Sequence, residues 1–289
     1  MTNLAHSFRP SLLILAIVGI AIALRIAAIL PDSLHHPDEI GQYLEQAHRI
    51  VFGYGTVTWE NRLGMRHGLL PVLLSAPMAL GKLIAPNSEL YLLLPRLTNG
   101  ALSLAILWAA YRIGRQYSQP HAMIALVVAA FWYEFVMLAA HTLSEPLATA
   151  AILVAAALLY DQNVKKWGLL AAGFLFGIGI LLRFHYALPA AIIAIGLCWP
   201  NWKSKLFPVI MGGIIAVAIG ALVDLSMGMV PYQWVFNNIY QNVVLNRSAN
   251  YGTSPPNAYL TSFWFQWGPS AIVILPLLVI GQCVLLLSQ

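Results

Sequence analysis

The chain has 289 residues, of which 60% are hydrophobic and only 9% charged, with a formal net charge of +5. A soluble globular domain carries about 45–50% apolar and about 25% charged residues, so this composition excludes an ordinary water-soluble enzyme. The Lys and Arg residues are scattered between apolar runs rather than gathered in one patch, which leaves no footprint for a nucleic acid.

Eight apolar stretches approach or reach the roughly 20 residues that span a hydrocarbon core. They are 11–30, 91–111, 119–139, 143–160, 167–182, 186–200, 206–223 and 269–287. The first has few positive charges before it and no small-residue cleavage site after it, so it reads as an uncleaved span rather than a signal peptide. No internal repeat, low-complexity tract or soluble domain is evident. Cys198 and Cys283 both fall in apolar runs without ligand residues nearby and read as small core residues. No metal or cofactor site is expected from the residues, and a metal requirement is left open.

The links carry the orientation. Arg112 with Arg115, Lys165 with Lys166, and Lys203 with Lys205 occupy three short connections, and such basic loops stay cytoplasmic. Placing them inside with the N-terminus accommodates eight spans. Residues 69–86 are also apolar, but a crossing there would invert everything downstream. They are therefore expected to form an interfacial or re-entrant helix, broken by Pro71, Pro77 and Pro86. In this arrangement one large outer loop covers 31–90 and a second covers 224–268. The outer segments then hold Asp32, Asp38, Glu39, Glu45, Glu60, Glu89, Glu145 and Asp224, eight of the ten acidic residues. A transporter more often places its charges at mid-membrane.

In the first loop Pro37 suits the opening turn of a helix. After it, Asp38, Gln42, Glu45 and Arg49 share one helical face, and Ile40, Leu44, Ala47 and Val51 the opposite one. This predicts an amphipathic helix on the membrane surface. Asp38 at its start is held ionised by the helix N-terminus, either as a proton acceptor or merely as a helix cap. Asp38 and Glu39 do not form a hydrolytic pair, because neighbours on a helix point about 100° apart. His35 and His36 lack a third metal ligand at helical spacing and read as interfacial. Gly53 and Gly55 imply a tight turn. Trp59 suits either the membrane surface or a sugar ring. Arg62, Arg66 and Arg183 are candidates for holding a phosphate, or are solvated interfacial arginines.

His36-Pro37-Asp38-Glu39, Glu45-x-Ala47-His48-Arg49 and Phe52-Gly53-x-Gly55-x-x-Thr58-Trp59-Glu60 together resemble the opening motif of the family 22 glycosyltransferases. These are GT-C-type mannosyltransferases of glycosylphosphatidylinositol (GPI) and asparagine-linked glycan assembly. Thr142-Leu143-Ser144-Glu145 resembles the family's short acidic motif. Asp224, Pro231-Tyr232, Asn246, Tyr251-Gly252, Pro255 and Tyr259 resemble its late-loop pattern. Asn61 and Gln233 stand where the family usually has an aromatic and a glycine, and family members usually run well beyond 289 residues.

The resemblance implies an all-α polytopic fold. It would be one GT-C-like domain over 1–289 with about eight spans, either a compact relative or one short at its C-terminal end, and amphipathic surface helices in the first outer loop. It further implies transfer of a hexose, in the first place mannose, from a polyprenyl- or dolichyl-phosphate carrier to a hydroxyl of a lipid-linked glycan or glycolipid, with inversion. Asp38 would be the base, next to Glu39. Glu45, Trp59, Glu60, Glu145, Asp224, Tyr232, Asn246 and Tyr251 would shape the substrate sites. Arg62, Arg66, Arg183 or His185 would face the departing phosphate. The alternatives are a flippase for lipid-linked sugars or a catalytically silent membrane subunit. The short links and the lack of appended domains favour a bacterial plasma membrane over the endoplasmic reticulum.

Overall fold

The computed structural model describes residues 11–31 and 36–287, so Asp32 and His35 lie outside the described residues. The protein is 81% helical, with no strand among the described residues. The chain divides into two compact units, 1–238 and 239–289.

Among the described residues of the first unit are twelve helices and most of a thirteenth: α1 Leu12–Ile29, α2 Glu45–Phe52, α3 Trp59–Arg62, α4 Leu69–Ile84, α5 Leu90–Ser103, α6 Ala105–Arg115, α7 Gln119–Phe131, α8 Tyr133–Ala139, α9 Ser144–Tyr160, α10 Lys166–Leu182, α11 Ala187–Cys198, α12 Trp202–Ser226 and α13 Gln233–Ile239. Among the described residues three stretches are long and apolar enough to cross a membrane: Leu12–Ile29, Leu90–Arg115 and Phe184–Ser226. The third covers 43 residues and contains both α11 and α12, so it spans two of the expected crossings. Shorter apolar helices match the stretches expected near 119–139, 143–160 and 167–182. The protein is thus an all-α integral membrane protein.

Residues 69–84 depart from expectation, because α4 runs unbroken through Pro71 and Pro77 and ends just before Pro86. Pro71 sits in the first turn, where an N–H has no partner anyway. Pro77 gives up one backbone bond, but Leu74 and Met78 on either side are buried against Tyr43, Leu44 and Ala47. That packing holds the helix together. At about 1.5 Å per residue its 16 residues reach roughly 24 Å.

Polar groups inside the bundle are met by backbone carbonyls. Arg25 of α1 is buried and donates to Ala21 O, Ala129 O, Ala130 O and Ser103 Oγ at 3.2–3.3 Å. Ala129 and Ala130 end α7, whose helix is interrupted at Trp132 (ψ 121°). Their carbonyls therefore lack helical partners and carry the negative end of the helix dipole. At the other end of the bundle, Lys205 of α12 is buried and donates to Leu159 O at 2.8 Å and Leu197 O at 3.4 Å, near the C-termini of α9 and α11.

α10 and α12 pack most closely. A Cβ on Gly173 would overlap the Val209 carbonyl, and one on Gly212 would overlap Leu170 O; Gly177 faces Ala216 in the same way. Gly173-x-x-x-Gly177 on one helix thus meets Gly212-x-x-x-Ala216 on the other, the small-residue seam by which membrane helices approach.

The second unit contains a π-helical turn Tyr240–Val244, a 3₁₀ turn Arg247–Tyr251, α14 Ala258–Trp267 and α15 Ala271–Leu287. Gly268 (φ 60°) makes the corner between the last two helices.

The glycine seam gives a direct test. Gly212→Ala should lower stability by about 1–3 kcal/mol through overpacking, read by thermal unfolding of the detergent-solubilised protein. Gly213→Ala, whose Cβ would find nothing nearer than 3.9 Å, should unfold like the parent.

Candidate active site

The first extramembrane helix does not hold the expected register. Residues 39–44 form a π-helical turn in which the Glu45 N–H bonds to Ile40 O, five residues back. The extra residue rotates everything after it by about 100°. Ile40 is consequently exposed, while Gln42 and Tyr43 are buried. Gln46 ties the turn down by donating to Gly41 O at 2.9 Å and Thr56 O at 3.2 Å. Gly53 (φ 82°) then ends α2 in the left-handed conformation.

Asp38 and its neighbour have different surroundings. Asp38 is half-exposed, with Oδ2 3.5 Å from His36 Nδ1, and its N–H bonds to the same nitrogen at 3.2 Å. Glu39 is 2% exposed. Its carboxylate accepts the His36 N–H at 3.0 Å and the Thr142 N–H at 3.3 Å, and lies 3.0 Å from His141 Nδ1. Glu39 therefore fastens the start of the helix to the turn before α9, and Asp38 is the carboxylate turned outwards.

That turn delivers the next groups. Tyr43 Oη lies 2.8 Å from Ser144 Oγ, Ser144 donates to Glu145 Oε2 at 3.1 Å, and Glu145 Oε1 lies 2.9 Å from an Arg183 Nη. Because Ser144 spends its proton on Glu145, Tyr43 is the donor to Ser144. From the other side, Arg66 grips Glu60 through Nε (3.0 Å) and Nη2 (2.8 Å). Burial works against the Arg66 charge, but the hydrogen bonds and charge of Glu60, with Tyr43 and Asp38 beyond, outweigh it and hold Arg66 above its ordinary value. Burial likewise pushes the Tyr43 phenol up, partly offset by Arg66. Tyr43, Arg66, His67, Arg183, His185 and Trp234 line one small cleft. The Trp234 indole N–H is buried without an acceptor.

A second pair supports the cleft floor. Asp224 is fully buried near the end of α12. Its Oδ2 accepts the Tyr232 N–H at 2.9 Å, and its Oδ1 lies 3.4 Å from His67 Nε2. Tyr232 is held at φ 63°, a strained conformation for a bulky residue, and donates its hydroxyl to Val217 O. His67 Nδ1 accepts the Leu69 N–H, which puts the ring proton on Nε2, facing Asp224 and Gly220 O. Burial lowers the His67 pKa, against the opposing pull of Asp224 and Gly220 O.

Beneath the cleft lies an apolar cavity of about 440 Å³ between α10, α11 and α12. Leu181, Phe184 and Trp234 wall both spaces.

The structure thus draws Glu60, Arg66, Glu145, Arg183 and His185 together, and Arg66 feels the charge on Asp38. Other residues of the first unit point elsewhere. Glu45 accepts the Thr56 N–H and braces the loop at Gly55. Arg62 is exposed and donates to Val57 O at 2.9 Å. Trp59 opens α3, half-buried. Tyr232 lines the apolar cavity rather than the cleft. In the second unit Asn246 (φ 49°) precedes the 3₁₀ turn and Tyr251, 76% exposed, is its last residue. Tyr43, His67, His141 and Ser144 were absent from the expected set. His67 and His141 carried no spacing signal, and Tyr43 is brought in by the π-helical turn. No cluster of metal-ligating residues occurs among the described residues.

Fold and cleft together define an all-helical membrane protein with a charged site at one end of its spans. The chain belongs to the Alg9-like mannosyltransferase family, whose sequence model matches residues 16–288. It is 28% identical to the GPI alpha-1,2-mannosyltransferase 3 of Danio rerio over 93% of its length and 50% of that protein's. It is 25% identical to the GPI mannosyltransferase 3 of Drosophila melanogaster over 83% of the chain and 42% of the relative, and 26% identical to that of Candida albicans over 86% and 51%. The chain spans about half the length of these curated relatives. All three are eukaryotic and give the bacterial preference no support. No solved structure matches.

The buried His67 gives a pH test. With its pKa below the unfolded value of about 6.5, the unfolded chain binds the extra proton, so stability is present above that pH and falls as pH drops through it. His67→Gln should remove that part of the decline between pH 7.5 and pH 5.5 in thermal unfolding, where the parent steepens.

Proposed function

We propose that the chain carries the catalytic cleft of a membrane glycosyltransferase. The enzyme transfers a hexose, in the first place mannose, from a polyprenyl or dolichyl monophosphate to a hydroxyl of a lipid-linked glycan, with inversion. One observation carries this reading: two arginines, Arg66 and Arg183, line a small cleft that shares a wall with an apolar cavity. A lipid-linked phosphate needs both surroundings at once.

In this scheme the acceptor hydroxyl approaches Asp38, which takes its proton as the oxygen bonds to the anomeric carbon. The bond from that carbon to the phosphate oxygen breaks on the opposite face, and the carrier leaves as a phosphate monoester with its electron pair. Arg66 and Arg183 offset the charge that develops there. Glu60 and Glu145 orient the two guanidiniums without exhausting their donors. The orphan Trp234 N–H supplies a further donor for a sugar or phosphate oxygen. The isoprenoid lies along Phe176, Ile180 and Val217 in the apolar cavity. The basic links support an extracytoplasmic position for the cleft. Neither a flippase nor a silent subunit finds support here, and Arg25, in the last turns of α1, is engaged by four acceptors.

The test is transfer in membranes supplied with labelled polyprenyl-phosphate mannose. Asp38→Asn should cut transfer by about 100-fold or more without changing the unfolding temperature, and Arg66→Ala or Arg183→Ala should raise KM for the donor. Glu39→Gln should instead lower the unfolding temperature, since it weakens a buried clamp. Near-normal transfer by a correctly inserted Asp38→Asn protein would overturn the assignment of the base and turn attention to Glu145.

A further inference from the structure

At the ends of α10 and α12 remote from the cleft lies a second cavity, of about 630 Å³. Its rim carries Lys166 and Lys203, and its floor is Leu170, Phe207, Pro208 and Met211. Neither lysine has an acidic partner among the described residues. Lys205, two residues on, is by contrast spent on the carbonyls of Leu159 and Leu197. Trp167 on the wall is 79% exposed and Trp202, with Lys203 Nζ 5.8 Å from its ring, 53% exposed. Such tryptophans sit at the headgroup level of a bilayer. The first turns of both helices also lack a side-chain cap, so their N–H groups add to the positive rim.

We propose that this cavity binds an anionic glycerophospholipid of the surrounding leaflet, with its phosphodiester between Lys166 and Lys203 and an acyl chain along Leu170, Phe207 and Met211. The two halves of the site select this one occupant. A free anion would satisfy the lysines and leave the apolar floor wet, while a zwitterionic lipid would bring an ammonium group up to two unpaired cations. The site is separate from the transfer cleft, so it is read by lipid selectivity and not by catalysis.

The full chain is reconstituted in vesicles of equal parts phosphatidylcholine and phosphatidylglycerol, and the lipids it retains are counted by native mass spectrometry. Phosphatidylglycerol should be retained in preference. The double variant Lys166→Gln/Lys203→Gln should reduce that preference about 10-fold or more, and Lys166→Arg/Lys203→Arg should keep it. Raising the salt around the parent protein should weaken it, which provides a reading even where the glutamine variant fails to fold. Millimolar glycerol phosphate should not displace the lipid. Retained preference in a folded glutamine double variant, indifference to salt, or displacement by glycerol phosphate alone would each overturn the proposal.

Discussion

A buried carboxylate and a buried imidazole hold the first extramembrane helix against the turn between α8 and α9, and the candidate site depends on that contact. Glu39 reaches His141 and the Thr142 N–H from one side. From the other, Asn99 of α5 donates to His141 O at 2.6 Å, and Arg96 donates to Ala140 O at 3.4 Å. The turn is thereby fixed by groups on a spanning helix and by groups on the loop. Ser144 and Glu145, which follow it, enter the cleft already oriented, and Tyr43 meets Ser144 because Glu39 has set the start of its helix. Two carboxylates adjacent in sequence thus differ in surroundings: the buried Glu39 positions the helix, and the half-exposed Asp38 turns outwards.

The membrane scaffold obeys a different economy of polar groups. Water is absent from a hydrocarbon core, so each buried donor needs a protein acceptor. Arg25 and Lys205 find theirs in carbonyls at or near helix C-termini, where the backbone has no partner of its own and the dipole favours a cation. The interruption at Trp132, which leaves Ala129 O and Ala130 O open, and the buried Arg25 are two halves of one feature. Apolar contact supplies little net drive between helices in lipid, and the glycine seam of α10 and α12 answers that with close approach. These two helices carry Arg183 at one end and Asp224 at the other side of the same cleft, so the seam also sets the width of the floor.

Much of this could be read from the chain. The apolar helices were legible because long apolar runs have few alternatives, while the sense in which they cross rests on the basic links alone. The first-loop helix was legible as a helix but not in its register: alternation of polar and apolar residues assumes 3.6 residues per turn, and Gly41 with its neighbours adopts a wider turn that no pattern rule marks. Ile40 and Gln42 exchanged faces as a result, and Tyr43 moved into the cleft. Pro71 and Pro77 misled for a related reason. Local propensity argued for a break, and packing of Leu74 and Met78 overrode it. His67 and Asp224 lie 157 positions apart in the sequence, and their pairing is a property of the tertiary fold alone.

The floor of the cleft shows how the charged and apolar spaces are kept both separate and adjoining. Asp224, buried with no exposure, is stable there because it accepts the Tyr232 N–H and faces His67, and the same bond holds Tyr232 at φ 63°. That conformation turns the chain so that Trp234, two residues on, lies between the two spaces, against Phe184 and His67 with ring centroids 5.9 and 5.2 Å away. Its ring is an apolar wall to the cavity, and its N–H is a polar group without a protein partner. A headgroup and an isoprenoid chain differ in the surroundings they need by several kcal/mol per polar group, and a molecule carrying both is stable only where the two surroundings meet. The strained backbone at Tyr232, maintained by a buried carboxylate, is what brings that boundary to the foot of Arg66 and Arg183.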